Sequence, residues 1–155
     1  VRGGYYRYKP QYVKEFPIPK LNDASEQNPF IEKVNQVMDK TATFQNTQDL
    51  FLELLQSKFE IEKPTKKLQN WNELEVGEFL KELEKARKKS AKEQKQEYKK
   101  LPLPEEAEWM QYFNEQKAKA QKLQSQINQT DKEIDQMVYE LYGLTEEEIE
   151  IVENS

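Results

Sequence analysis

"PEEAEWMQYFNEQKAKAQKLQSQINQTDKEIDQMVYELY", residues 104–142, holds no glycine, and no proline after its first residue. Phe113, Ala120, Ile127, Ile134 and Leu141 recur every seven residues, and Gln116, Leu123, Thr130 and Met137 fill the alternate seam positions. A seven-residue apolar repeat sustained over four turns of the pattern belongs to a helix that packs lengthwise on another helix, with Gln116 and Thr130 as its weak points. Glu105 and Glu106 suit the positive end of the helix dipole. At a rise of about 1.5 Å per residue the helix would be about 55 Å long. A rod of that length must lie against a second one.

The expected antiparallel partner begins at Asn28-Pro29, where asparagine reads as the N-cap and proline as the first helical residue. Phe30, Ile31, Val34, Val37 and Met38 follow as one stripe, and Leu50, Phe51, Leu54, Leu55 and Phe59 resume it after a stretch, 41–46, where a break would fit. "NPFI" at 28–31 resembles the amine-holding loop of amino-methyltransferases but lacks the second proline, and it reads as a helix cap. Pro64 keeps the next connection non-helical, with Leu68 and Trp71 tacking it to the helices. A further helix from Val76 to Lys89 turns Phe79, Leu80 and Leu83 inward. The fold class expected is mainly α: an elongated helical hairpin or bundle with a long heptad-patterned C-terminal helix and a short extended N-terminal segment. The domain reading is 1–22 and 23–155, with a helical insertion at about 62–104.

Composition agrees. Only 35% of the residues are hydrophobic while 34% are charged, and the mean hydropathy is -1.07. Such a chain suits helices that bury one stripe each rather than a deep core. The four glycines are too few for turn-rich β architecture. Cysteine and histidine are both absent, which excludes disulfides, thiol chemistry, the common zinc sites and histidine acid–base catalysis. No apolar run approaches the roughly 20 residues needed to cross a bilayer, and no signal-peptide pattern is evident. A cytoplasmic location without membrane contact is expected. The start at Val1, on an aromatic stretch, leads to the expectation of a piece of a larger protein.

The net charge of -5 argues against a general nucleic-acid binder, but the charge is unevenly spread. Residues 1–20 carry Arg2, Arg7, Lys9, Lys14 and Lys20 against Glu15; residues 81–100 hold nine basic and four acidic side chains; the final 18 residues contain six glutamates and no basic residue. In "RGGYYRYKPQY", residues 2–12, arginine and lysine interleave with tyrosine. Arginine grips phosphate or a guanine edge, and tyrosine stacks or donates to phosphate. Arg2, Tyr5, Tyr6, Arg7, Lys9, Gln11 and Lys14 are therefore the candidate DNA-binding residues. The prolines at 10, 17 and 19 make this an extended edge segment rather than a helix. Packing of alternate tyrosines on a core would account for the same pattern.

Two stretches together resemble a known family. "YYRYKPQYVKEFPIP", 5–19, is similar to the closing strand of the target-recognition domain in restriction–modification proteins. "DKEIDQMVYELYGLTEEEIEIVE", 131–153, resembles the C-terminal end of type IIG restriction enzymes and related adenine-specific DNA methyltransferases. "KLQNWNELEVGEFLKELEKARKK" at 67–89 and "EWMQYF" at 108–113 are similar to the helical tail of those enzymes. The resemblance implies a module of a site-specific adenine methyltransferase, sometimes fused to an endonuclease, that reads double-stranded DNA, uses S-adenosylmethionine and flips its target base. The catalytic and cofactor motifs are not in these 155 residues, so this chain is expected to be non-catalytic, to bind no cofactor or metal, and to have as partner an upstream methyltransferase domain of the same chain.

The same resemblance gives the tail a role. Met137, Val138, Leu141 and Tyr142 form an apolar helix end, Gly143 fits a left-handed C-terminal cap, and Thr145 with Glu148 forms a capping box. With Ile149 of the short acidic helix beyond, these are the candidate domain-docking residues. Two further readings compete: a coiled-coil interaction module unrelated to DNA that self-associates through the heptads, and a stand-alone enzyme, for which no candidate site exists.

Overall fold

The computed structural model describes residues 19, 21 and 23–154. The described residues are mainly helical and contain no strand. Helix α1 spans Ala24–Phe59, α2 is the single turn Lys66–Gln69, a 3₁₀ turn covers Trp71–Glu73, α3 spans Val76–Glu93, α4 spans Leu103–Tyr142 and α5 spans Glu146–Glu153. The extended segment expected before residue 19 lies outside the described residues.

Helices α1 and α4 form the antiparallel hairpin read from the heptads. Phe59 meets Trp109 and Phe51 meets Phe113, while Lys40 and Lys33 pair with Thr130 and Glu133 further along. The α4 seam faces inward along its whole length: Phe113, Ala120, Ile127 and Thr130 are buried, and Gln116, Leu123, Ile134, Met137 and Leu141 are half-buried. The α4 helix has 40 residues, so the hairpin is about 60 Å long.

Helix α1 corrects two expectations. It is one continuous helix of 36 residues, without a break at 41–46; Thr43 and Thr47 instead donate their hydroxyls to carbonyls one turn back. Its N-cap is Asp23, not Asn28. The Asp23 carboxylate accepts the backbone N–H groups of Ser25 and Glu26, which starts the helix more than a turn earlier and leaves Pro29 inside it. A proline there removes one hydrogen bond near the end of a long helix, which the cap and the seam outweigh. The apolar stripe also divides. Phe30, Val37, Phe44 and Phe51 recur every seven residues and turn toward α4, whereas Ile31, Val34 and Met38 are 52%, 44% and 63% exposed.

At one end the hairpin gains a third layer. The chain leaves α1 through Glu60, whose left-handed backbone (φ 52°) is fixed because its carbonyl accepts the Ser90 hydroxyl and the Gln94 amide. Thr65 caps α2 by accepting from the Leu68 N–H and donates to Glu82 on α3. Leu68 and Trp71 are fully buried and hold the connection onto the helices, as expected. Trp71 stacks on Phe51 at 4.0 Å between ring centroids, Phe79 stacks on Phe113 at 4.3 Å, and Tyr112 lies parallel to Phe51. The Trp71 indole N–H donates to the Gln48 carbonyl. Phe79, Leu83, Ala86 and Ser90 form the inward row of α3. Beyond this aromatic knot the hairpin continues as a two-helix stem with no third layer among the described residues.

Candidate functional site at the stem tip

The stem ends where the chain joins it. Pro19, Leu21, Glu26 and Phe30 on one side, and Met137, Glu140 and Leu141 on the other, line an open groove of about 540 Å³. Met137 and Leu141 are the two seam residues nearest the end of α4, and the antiparallel register brings Phe30, first of the α1 seam residues, opposite them. Two of the six docking candidates thus form one wall. Val138 and Ile149 are half-buried and Tyr142 is exposed; none of the three lines the groove.

Local structure holds the groove's rim in place. Gly143 has φ 64°, the left-handed cap, and its N–H bonds the Glu140 and Tyr139 carbonyls. The Thr145 hydroxyl accepts from the Glu148 N–H, and the Glu148 carboxylate accepts from the Thr145 N–H at 2.8 Å. That backbone hydrogen bond is the largest cause holding the Glu148 carboxyl below its ordinary range. Helix α5 thus starts in a fixed direction and folds back, so that Glu153 lies near Tyr139; burial is the main cause raising the Tyr139 phenol, with Asp135 and Glu153 adding to it.

The lower stem is polar where a knot would be apolar. The Lys33 ammonium pairs with the Glu133 carboxylate, which lowers the Glu133 pKa chiefly through that hydrogen bond. The Lys40 ammonium donates to the Thr130 hydroxyl at 3.1 Å, and that hydroxyl donates to the Gln126 carbonyl. Thr130, a weak member of the heptads by sequence, is buried with its hydrogen bonds made.

The seven DNA-binding candidates, Arg2, Tyr5, Tyr6, Arg7, Lys9, Gln11 and Lys14, lie outside the described residues. Phe30 and Leu21 were not singled out for the site, since the wall they form follows from the register of α1 on α4 rather than from either segment alone. Among the described residues no group of acidic side chains could hold a metal ion, and no helix is long and apolar enough to cross a membrane.

The fold and groove define a helical hairpin, knotted at one end and open along the other. Residues 23–138, from the α1 cap to the last turn of α4, match the family described as Domain of unknown function (DUF8810), and the chain belongs to that family. No curated protein and no solved structure matches the chain.

Proposed function

We propose that this chain is a DNA target-recognition and spacer module of a restriction–modification enzyme, a site-specific adenine methyltransferase with or without an endonuclease. Residues 1–22 supply the last strand of the recognition domain, and 23–155 the helical spacer that sets the distance to the catalytic domain. S-adenosylmethionine would be used by that catalytic domain, in the cytoplasm. The observation carrying this reading is the groove: Pro19 of the first resembling stretch and Met137 and Leu141 of the second line one feature. Residues more than a hundred positions apart, from the two stretches that carry the resemblance, line this one groove, which supports the reading. The alternative, a coiled coil that self-associates through the heptads, is less favoured because α1 of the same chain occupies the α4 seam.

The reading is tested by binding of the 155-residue chain to a random 30-base-pair duplex across a salt series. Duplex binding is expected, with Arg2→Ala/Arg7→Ala weakening it and lowering the slope of log K against log salt by about 0.9 per lost phosphate contact. A chain that binds no duplex at low salt overturns the reading.

A further inference from the structure

We propose that the outer face of α3 and the segment folded over it form a second phosphate-contacting surface for duplex DNA, at the opposite end of the hairpin from Pro19; this rests on the DNA reading above. Inward residues of α3 recur as 79, 83, 86 and 90. Two positions on, Lys81, Lys85, Lys88 and Lys92 recur with the same spacing, and all four are exposed. Eleven residues of helix place them along about 16 Å, a length over which duplex DNA presents several phosphates on each strand.

The segment after α3 extends the row. Lys95 turns the chain through a left-handed backbone (φ 56°), and the segment is then held back against the helix. The Arg87 guanidinium donates to the Lys99 carbonyl at 3.0 Å and lies over the rings of Phe59 and Tyr98. The Lys88 ammonium lies over Tyr98 as well. In consequence Lys81 and Lys100 line one depression of about 180 Å³, together with Glu84 and Glu106.

Acidic neighbours offset part of this charge. Glu82, Glu84 and Glu93 pair with Lys85, Lys88 and Lys89. Among the described residues Lys81, Lys92, Lys95, Lys99 and Lys100 form no ion pair, although the charge of Lys100 also acts on Glu84. A solvated basic coil would move away from a helix face of like charge. Here aromatic and hydrogen-bonding contacts hold the two together, concentrating a positive field that a polyanion relieves.

The test uses the 155-residue chain, the same 30-base-pair duplex and a quadruple variant, Lys81→Gln/Lys92→Gln/Lys99→Gln/Lys100→Gln, which leaves the Lys85 and Lys88 ion pairs intact. The slope of log K against log salt should fall by about 3 to 4, at about 0.9 per contact, and the four Lys→Arg changes should preserve it. Lys92→Gln/Lys99→Gln should give half the effect, which keeps the test valid if the quadruple variant folds poorly. A control, Lys119→Gln/Lys122→Gln on the exposed side of α4, should change the slope by less than either. An unchanged slope in the glutamine variants, while Arg2→Ala/Arg7→Ala still lowers it, overturns this surface and leaves the DNA reading standing. Absence of duplex binding by the parent chain overturns both. An equal effect from the control also overturns the surface.

Discussion

Helices α1 and α4 run through both ends of the molecule, yet the ends are built differently. At the knot, Phe51, Trp71, Phe79 and Phe113 are all but inaccessible because α3 and the turns before it supply a third layer. In the stem, among the described residues, the same two helices have only each other. Two helices bury one seam, so Phe30, Val37 and Leu141 are half-covered and Ile31, Val34 and Met38 are exposed. The lesson is that the heptads set the register over the whole length, whereas stability is concentrated where a third layer exists. The stem buries less of its apolar surface than the knot does.

Breaking the knot should have the largest effect. Phe113→Ala removes a fully buried ring stacked between layers and should cost about 3–5 kcal/mol, seen as a large fall in the melting temperature of the whole chain. Gly143→Val should cost less, about 1–2 kcal/mol for a side chain forced into the left-handed region. The added Cβ meets nothing within 4 Å, so the cost is conformational, and it should appear as loss of α5 direction by NMR with the knot resonances unmoved. Leu141→Asp puts a charge in the groove beside Phe30 and Met137 and should fray the last turns of α4 at a cost on the order of 1 kcal/mol, with little change in the main melt.

Acid should separate the ends as well. Asp23, Glu133 and Glu148 all ionise below their ordinary ranges: Asp23 through the Ser25 hydroxyl first and then the Glu26 N–H, Glu133 through Lys33, and Glu148 through Thr145. A carboxyl with a lowered folded-state pKa adds stability above its unfolded value, and that stability is lost as pH falls through the folded value. All three lie in the stem or its tip; near the knot Glu84, lowered by Lys88, is the one such group among the described residues. Below about pH 4, stem amides should therefore lose protection before knot amides. Lys33→Met removes the chief cause of the lowered Glu133 pKa, so it should shrink the acid-dependent part of that loss of stem protection. Smallest of all, Met38→Gln should change the stability of the isolated chain by less than about 0.5 kcal/mol, as expected for an exposed side chain.

Much of this was legible in the sequence, and the reasons are local. The sevenfold spacing from Phe113 to Leu141 marked the seam, and Gly143, Thr145 and Glu148 marked the cap and the next helix start. What the sequence did not display depends on the third dimension. Asn28-Pro29 has the composition of a helix start, but Asp23 supplies two hydrogen bonds further upstream and prevails. Ile31, Val34 and Met38 share a helical face with inward residues, and among the described residues no third layer covers them. Trp71 reads as tacking a connection to the helices, as it does, and its neighbours on α1 and α4 make it the centre of the core. The groove was half legible: Met137 and Leu141 from the heptads, Phe30 and Leu21 only from the register.

Native-state hydrogen exchange, resolved by residue, tests the division between knot and stem most directly. Amides of α1 from 51 to 59, of α3 from 79 to 90 and of α4 from 109 to 120 should exchange only through global unfolding and share one high free energy. Amides of α1 from 27 to 44 and of α4 from 127 to 142 should open at distinctly lower free energy, rising toward the tip. Equal protection along both helices, or a stem more protected than the knot, would contradict the account.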